Sequence, residues 1–208
     1  DQSGWPLAYD GPAPPPLIAA GDDDHVILVE SLSKLLFPSL RIGYIAARGA
    51  AMRALYAAKL RADTFTTTVT QRALWRFLAG KSAERHMRAT RNLYRNRRDA
   101  LHAALRKALP AGSRAIAPRG GVNIWVELPR DWSAIDLFGY AAQAGVLFLP
   151  GSPFYPTMPA QNTLRLSFGT LSESRAREAA ARLGRAAAAY DAARGKVAQQ
   201  AFTAAAAV

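Results

Sequence analysis

The chain has 208 residues, of which 50% are hydrophobic, and a formal net charge of +12 at neutral pH. That length suits one large domain or one and a half small ones, and the apolar content is enough for a buried core, which excludes general disorder. The sequence has no cysteine, which excludes disulfides and thiolate metal sites, and its three scattered histidines form no ligand cluster, so we expect no metal.

The first part of the chain predicts an extended connection followed by two strands. Residues 1–21 are rich in proline and glycine, a composition typical of a connection. Residues 25–30 form a short β-branched run that predicts a buried strand, and residues 41–47 begin a second one. The loop between these strands carries Lys34, and Pro38 restricts its backbone path.

Three helices are predicted next. Apolar positions recur at helical spacing over residues 49–62. A polar string at 63–68 interrupts the pattern, and a second helix follows it. Ser82 is a suitable N-cap for a long helix over about 83–109, which ends where proline and glycine occur.

After this long helix the pattern changes to short alternating strands with one helix between them, which predicts a smaller α+β domain. The predicted strands are 113–117, 122–128, 146–149 and 162–168. Ser133 caps a helix over 134–144, and a final helix begins near Ser172 and runs to about Tyr190. We expect residues 199–208 to be frayed.

Charge and hydropathy limit the partners that we expect. Clustered Arg and Lys are the footprint of nucleic-acid binding, and many of these residues lie in the long helix. They are spread around the helix with no aromatic stacking platform among them, so we interpret them as a solvated face. The chain has no run of about eighteen apolar residues and no basic-then-apolar leader, so we expect a soluble, cytoplasmic protein without a membrane span.

The sequence between the two predicted strands indicates a catalytic lysine next to a phosphate-binding group. Residues 31–44, SLSKLLFPSLRIGY, place a lysine among hydroxyl residues and an arginine seven positions downstream. A lysine amine forms Schiff bases when its surroundings favour the neutral form, and hydroxyls and a guanidinium hold a phosphate dianion. We therefore predict Lys34 as the Schiff-base former and Ser31, Ser33 and Arg41 as the phosphate-binding group.

The same stretch, S-x-S-K followed by P-x-L-R-x-G-Y, resembles the lysine motif of fold-type I pyridoxal-phosphate enzymes in the class I and II aminotransferase branch. The resemblance implies pyridoxal 5′-phosphate as cofactor and an α/β fold. The latter part of a major domain with a mostly parallel sheet would occupy 1–80. A small C-terminal α+β domain with the long connecting helix would occupy 81–190, and 191–208 would be a disordered tail.

The resemblance also assigns residues that the local pattern does not. Asp1 takes the position of the aspartate that pairs with the pyridine nitrogen of the cofactor. Ser3 and Gly4 occupy the offsets where the family has a tyrosine for the phenolic oxygen, so that group is missing. The similarity extends from Asp1 to about Gly184 and corresponds to the latter half of a complete enzyme, so we expect this chain to be a fragment that binds the cofactor poorly alone.

A second motif lies near the end of the similar region. Residues 162–168, NTLRLSF, resemble the strand whose arginine binds the substrate α-carboxylate, which gives that role to Arg165. A planar guanidinium suits the task because it pairs with a carboxylate through two hydrogen bonds and keeps its charge. The loop 149–155, LPGSPFY, is similar to the family's loop at the mouth of the active site, where Phe154 or Tyr155 would line the pocket or pack in the core.

These assignments imply amino-group transfer between an α-amino acid and a 2-oxo acid, in a homodimer. Residues 36–44 and 94–101 look particularly like the MocR subgroup, in which an aminotransferase-like domain follows a GntR-type DNA-binding domain and senses an effector. That alternative stays open, and it would bring DNA as a partner if an upstream GntR-type domain exists. Another reaction on the same cofactor, such as β-elimination, also stays open, because the scaffold does not fix which bond at Cα is broken.

Overall fold

A computed structural model describes residues 7–20, 24–34, 36–63 and 65–206. The chain divides into two compact units. The first comprises Asp1–Tyr94 with Arg119–Gly121, and the second comprises Arg95–Pro118 with Val122–Val208. Helices and sheets are mixed in the chain, as the α/β class requires.

A two-stranded antiparallel sheet lies in the first unit. Strand β1, Leu28–Ser31, pairs with β2, Gly43–Ala46, from Leu28 opposite Ala46 to Ser31 opposite Gly43. The connection between the strands is shorter than the roughly dozen residues that a parallel crossover needs, so the antiparallel pairing follows from its length. All strand pairs among the described residues are antiparallel, and the mostly parallel sheet implied by the resemblance is not represented there.

Two helices follow the sheet in the first unit. Helix α1 spans Gly49–Ala62, the range that the sequence predicts, and α2 spans Thr68–Leu78. Neither helix buries a residue. The strand expected to be buried is also open to solvent, since the Val29 side chain is 43% exposed. The β-branched run therefore predicted the strand correctly and its burial wrongly, because no described residue covers that face.

The second unit contains a four-stranded antiparallel sheet in the order β3-β4-β6-β5. Its strands are β3, Arg114–Ile116; β4, Asn123–Glu127; β5, Leu149–Pro150; and β6, Thr163–Ser167. The central pair places Ile124 opposite Leu166 and Val126 opposite Leu164, and all four side chains are buried. Because side chains alternate along a strand, the residues between them lie on the other face.

Helices cover the buried face of this sheet. Helix α3, Lys81–Ala108, begins in the first unit and ends in the second; α4 spans Ala134–Gln143 and α5 spans Glu173–Ala206. The Ser133 hydroxyl accepts a hydrogen bond from the Asp136 N–H at 3.1 Å, which confirms the predicted cap. Helix α5 continues past Tyr190, its predicted end, because the following Ala, Arg, Lys and Gln residues all favour helix.

None of the helices in the described part of the chain is long and apolar enough to cross a membrane. Over the same residues, no group of three or more histidine or carboxylate side chains is placed to hold a metal ion.

Candidate active site

Three of the predicted site residues lie at one end of the β1–β2 sheet. Ser31 is the last residue of β1 and pairs with Gly43, and the Leu32 N–H donates to the Ile42 carbonyl oxygen at 3.1 Å. The antiparallel register therefore continues beyond β1 toward Ser33 on one chain segment and Arg41 on the other. In this way the sheet brings Ser31, Ser33 and Arg41 to the same end of the hairpin.

Gly43 is needed for this pairing. A Cβ atom at this position would lie 2.6 Å from the Glu30 carbonyl oxygen, closer than real side chains approach a backbone atom. The glycine in the R-x-G-Y part of the motif therefore lets the two strands approach each other next to the lysine loop.

Lys34 lies in a turn directly after this end of the sheet. The Leu36 N–H donates to the Leu32 carbonyl oxygen at 3.0 Å, and the Ser33 N–H donates to the Ser31 hydroxyl oxygen at 3.3 Å. These bonds close a single turn around Lys34, whose side chain is exposed. Among the described residues its amine has no hydrogen-bond or ion-pair partner, so none of their side chains competes with a ligand for it.

Arg41 adopts an unusual backbone conformation. Its φ of 50° lies in the left-handed region, which Arg41 shares with one other non-glycine residue, Met158, in the described ranges. A non-glycine residue held there costs about 1–3 kcal/mol and persists where its surroundings fix it, a situation common in binding sites. The exposed Arg41 guanidinium has no carboxylate partner in the described part of the chain, so no described acid competes with an anion for its charge.

A polar pair crosses the same sheet. The Tyr44 hydroxyl donates a hydrogen bond to the Glu30 carboxylate directly opposite it. This hydrogen bond, with smaller contributions from burial and from the Glu30 charge, raises the pKa of Tyr44 to about 12. The pair holds the two strands together next to the lysine turn, and the raised pKa keeps the Tyr44 phenol protonated to a higher pH than an ordinary tyrosine.

Arg165 lies in the second unit, in the middle of β6. It pairs with Trp125 on one neighbouring strand and Leu149 on the other, while Leu164 and Leu166 are buried on the opposite face. The guanidinium carbon lies 4.6 Å from the centre of the Phe154 ring. The Arg165 side chain is half-buried and has no carboxylate partner within the described residues, which leaves its in-plane donors free for an external anion.

Aromatic rings surround this arginine, an arrangement that the sequence motif alone did not predict. The Trp125 ring meets Phe154 edge to face with centroids 5.8 Å apart and lies 6.2 Å from the Tyr155 ring. The alternation along β4 puts Trp125 on the face away from the core, but the pairing that places it opposite Arg165 joins residues forty positions apart. The strand register is the observation that identifies this cluster.

Gly120, in the stretch 118–125, allows a close contact between two backbone segments of the first unit. Gly120 forms an isolated antiparallel bridge with Ala8, and a Cβ atom on Gly120 would lie 3.0 Å from the Leu7 carbonyl oxygen. In the structure, Gly120 lets the backbone approach residues 7–8 of the chain itself.

The predicted site residues thus fall into two groups. Ser31, Ser33, Lys34 and Arg41 belong to the first unit and share one end of a sheet, and Arg165 belongs to the second unit. Asp1 lies outside the described residues, as do Ser3 and Gly4.

Comparison with known proteins gives one family and a consistent set of relatives. Residues 7–183 match the family model described as aminotransferase class I and II. The aromatic-amino-acid aminotransferase 1 of Thermococcus litoralis is 33% identical over 177 residues, which cover 85% of this chain and 42% of that protein. A crystal structure of the α-aminoadipate aminotransferase LysN from Thermus thermophilus, complexed with N-(5′-phosphopyridoxyl)-L-leucine, is 34% identical with a TM-score of 0.83, and covers 90% of this chain and 49% of that one.

Transcriptional regulators are also among the relatives. The HTH-type transcriptional regulator TauR of Rhodobacter capsulatus is 32% identical over 181 residues, which cover 84% of this chain and 36% of that protein. In all three comparisons the chain spans less than half the length of its relative.

Proposed function

We propose that this chain, which belongs to the class I and II aminotransferase family, forms the lysine-bearing part of an enzyme that transfers an amino group between an α-amino acid and a 2-oxo acid with pyridoxal 5′-phosphate. The observation that carries the proposal is the place of Lys34, in a turn at the sheet end shared by Ser31, Ser33 and Arg41, with no partner for its amine among the residues that the structure describes. This combination supplies a free amine next to donors suited to a phosphate.

The side chains present fit this cofactor. Ser31 and Ser33 carry hydroxyls and Arg41 a guanidinium, the donor types that bind a phosphate dianion, while Lys34 would hold the cofactor through its ε-amino group. Once bound, pyridoxal phosphate withdraws electrons from the substrate Cα and so makes its proton easier to remove. Asp1 would keep the ring nitrogen of the cofactor protonated.

Two side chains would then act on the substrate. The Lys34 amine would remove the proton from the substrate Cα and donate a proton to complete the transfer. The Arg165 guanidinium would bind the substrate α-carboxylate and orient the Cα–H bond. No described residue forms an ion pair with Arg165, which supports this role, because a half-buried guanidinium without a carboxylate is available for one.

Lys34→Ala in the complete protein tests the proposal. We expect kcat for transamination to fall by at least about 10²–10⁴ because both covalent attachment and proton transfer are lost. In the unsubstituted protein, borohydride reduction followed by peptide mass spectrometry should find a pyridoxyl group on Lys34. Lys81→Ala, an exposed lysine in the first turn of α3, is the matched control and should keep activity and labelling. Retained activity in Lys34→Ala, or a label on another lysine, would refute the assignment.

The wider setting of the enzyme follows from the same proposal. We expect amino acids and 2-oxo acids as its substrates, a homodimer as its assembly and the cytoplasm as its location. Residues 1–80 would belong to the cofactor-binding domain and 81–190 to the smaller domain.

A second candidate function is an effector-sensing domain in a transcription regulator. The similarity to TauR over 84% of this chain favours it. The same site would then bind the cofactor and an amino compound to change DNA affinity. Sequence-specific DNA binding by the complete protein, altered by pyridoxal phosphate and lost when an upstream GntR-type domain is removed, would decide for the regulator. Turnover without DNA binding would decide for the enzyme.

A further inference from the structure

We infer that Phe154 is a positioning residue for substrate, which holds the Arg165 guanidinium in the orientation that receives a carboxylate. The inference rests on the proposed role of Arg165. Phe154 would act through the arginine, by contact between its ring and the guanidinium cation, rather than through the reacting atoms.

The geometry of the contact leaves the arginine's hydrogen-bond donors available. The guanidinium carbon lies 4.6 Å above the Phe154 ring centre, a distance at which the ring attracts the cation. The phenyl ring attracts the cation through its π face and carries no oxygen or nitrogen acceptor, whereas the five N–H groups of the guanidinium pair with carboxylate oxygens. The contact therefore holds the guanidinium over the ring and does not replace a carboxylate as the partner of its donors.

Phe154 is itself held in place. The Trp125 ring meets it edge to face at an interplanar angle of 83°, and Trp125 is directly opposite Arg165 in the sheet. Trp125, Phe154 and Arg165 therefore form one connected cluster on the face of the sheet away from the core.

The backbone under Phe154 is also fastened to the strand that carries Arg165. The Gly151 N–H donates to the Thr163 carbonyl oxygen at 2.7 Å, and the Phe154 N–H donates to the Gly151 carbonyl oxygen at 2.9 Å. Thr163 is buried in β6, two residues before Arg165. A rotation of the Phe154 ring away from the arginine would thus have to occur on a backbone that is fixed next to it.

The exposure of the cluster matches a surface that a ligand covers. Phe154 is 47% exposed although it packs on two side chains, and Arg165 is half-buried with no ion-pair partner in the ranges that the structure describes. A phenyl ring that served only the core would have been placed on the buried face with Leu164 and Leu166.

Phe154→Leu tests the inference, because it keeps an apolar side chain of similar size and removes the ring. The measurement uses the complete protein with its cofactor and two probes, 3-phenylpropanoate and 3-phenylpropan-1-ol, which differ in the carboxylate. We expect Phe154→Leu to weaken 3-phenylpropanoate binding about two- to fivefold, the effect of one exposed cation–π contact, and to leave binding of the alcohol unchanged. For the amino-acid substrate, KM should rise by the same factor with kcat unchanged, since the contact serves the ground state and the transition state alike.

Two further variants serve as controls. Phe154→Tyr keeps a ring over the guanidinium and should bind 3-phenylpropanoate as the unsubstituted protein does. Phe138→Leu removes a different edge-to-face ring pair of the second unit, Phe138 with Phe148 at 5.5 Å, and should leave carboxylate binding unchanged. Equal losses for both probes in Phe154→Leu would show that Phe154 contacts the ligand's own ring, and an unchanged Phe154→Leu or a matching loss in Phe138→Leu would equally overturn the inference.

Arg165→Ala separates this inference from the function on which it rests. We expect it to weaken 3-phenylpropanoate binding by at least about tenfold, the effect of a lost charge-assisted hydrogen bond. Full binding by Arg165→Ala would refute the carboxylate role of the arginine, whereas a loss in Arg165→Ala with no change in Phe154→Leu would refute the positioning role alone. In the unsubstituted protein, the ring should move the Nε proton resonance of Arg165 upfield, and a resonance at its ordinary position would overturn the inference without any variant.

Discussion

The two units of this chain differ in how they use their apolar residues. In the second unit, α4 buries Ala134, Leu137 and Ala141, and β4 and β6 contribute further buried side chains. In the first unit, α1 and α2 bury none, and the Trp75 side chain of α2 is 66% exposed. Both units have regular helices with apolar positions at helical spacing. Periodicity therefore predicts a helix and its apolar face, but the burial of that face depends on whether another surface covers it.

The largest expected effect comes from removing one leucine in each unit. Leu183→Ala in α5 empties a site that is fully buried, and it should lower the free energy of unfolding by about 2–5 kcal/mol. Leu60→Ala in α1 trims a side chain that is 51% exposed and should change the same free energy by less than about 0.5 kcal/mol. Urea unfolding of the 208-residue chain, followed by circular dichroism, measures both. A cost for Leu60→Ala near that of Leu183→Ala would contradict the contrast between the units.

The close packing of the second unit extends to the loop that carries Phe154, and substitution of Gly151 in that loop should therefore be destabilising. A Cβ atom on Gly151 would lie 2.1 Å from the Thr163 hydroxyl oxygen, so Gly151→Ala should destabilise the chain by about 1–3 kcal/mol through overpacking. Gly139, in the middle of α4, has no atom within 4 Å of such a Cβ. Gly139→Ala should therefore stabilise the chain by about 0.5–1 kcal/mol, because alanine favours helix. Thermal unfolding of the two variants should show shifts of opposite sign, and a neutral Gly151→Ala would mean that the loop moves away from β6.

The parts of the fold that local signals encode could be predicted from the sequence. Helix α1 has its predicted bounds because the apolar spacing and the polar break after residue 62 are both local. Ser133 caps α4 for the same reason, since the cap and the N–H that donates to it are three residues apart. The sheet end around Lys34 could also be anticipated, because a short connection between two strands brings its own ends together.

Features that depend on distant residues could not be predicted in this way. The exposure of Val29 depends on what covers β1, and its β-branched run carries no information about that. The cluster around Arg165 depends on the register of β4 against β6, which is set by packing of the whole sheet. The sequence motif thus indicated a role for Arg165. The contact between Arg165 and the Phe154 ring, by contrast, could be identified only from the tertiary structure.

The smallest expected effect comes from one side-chain hydrogen bond in each unit, Tyr44–Glu30 in the first and Arg194–Asp131 in the second, which we call the polar links. We expect the stability that each link contributes to depend on pH in the opposite direction. In the first unit, the hydrogen bond to Glu30 raises the pKa of Tyr44 from 10.0 to about 12, so folding favours the neutral phenol. The link is fully present below pH 10 and is lost as the pH rises through about 12. Tyr44→Phe should therefore cost about 0.2–1 kcal/mol at neutral pH, the range for one cross-strand pair, and nothing above pH 12. In the second unit, the hydrogen bond from Arg194 lowers the pKa of Asp131 below its ordinary value of 3.8, so that link is present at neutral pH and is lost on acidification.

The two links should therefore fail at opposite ends of the pH scale. Denaturant unfolding of Tyr44→Phe and Asp131→Asn at acidic, neutral and strongly alkaline pH measures both. The difference in the free energy of unfolding between Tyr44→Phe and the unsubstituted chain should disappear at strongly alkaline pH. The corresponding difference for Asp131→Asn should disappear at acidic pH. Absorbance titration of the phenols should also show one late-titrating tyrosine that Tyr44→Phe removes. If every tyrosine titrates near 10, the Tyr44–Glu30 hydrogen bond does not persist in solution, and the strands beside Lys34 are held by their backbone ladder alone.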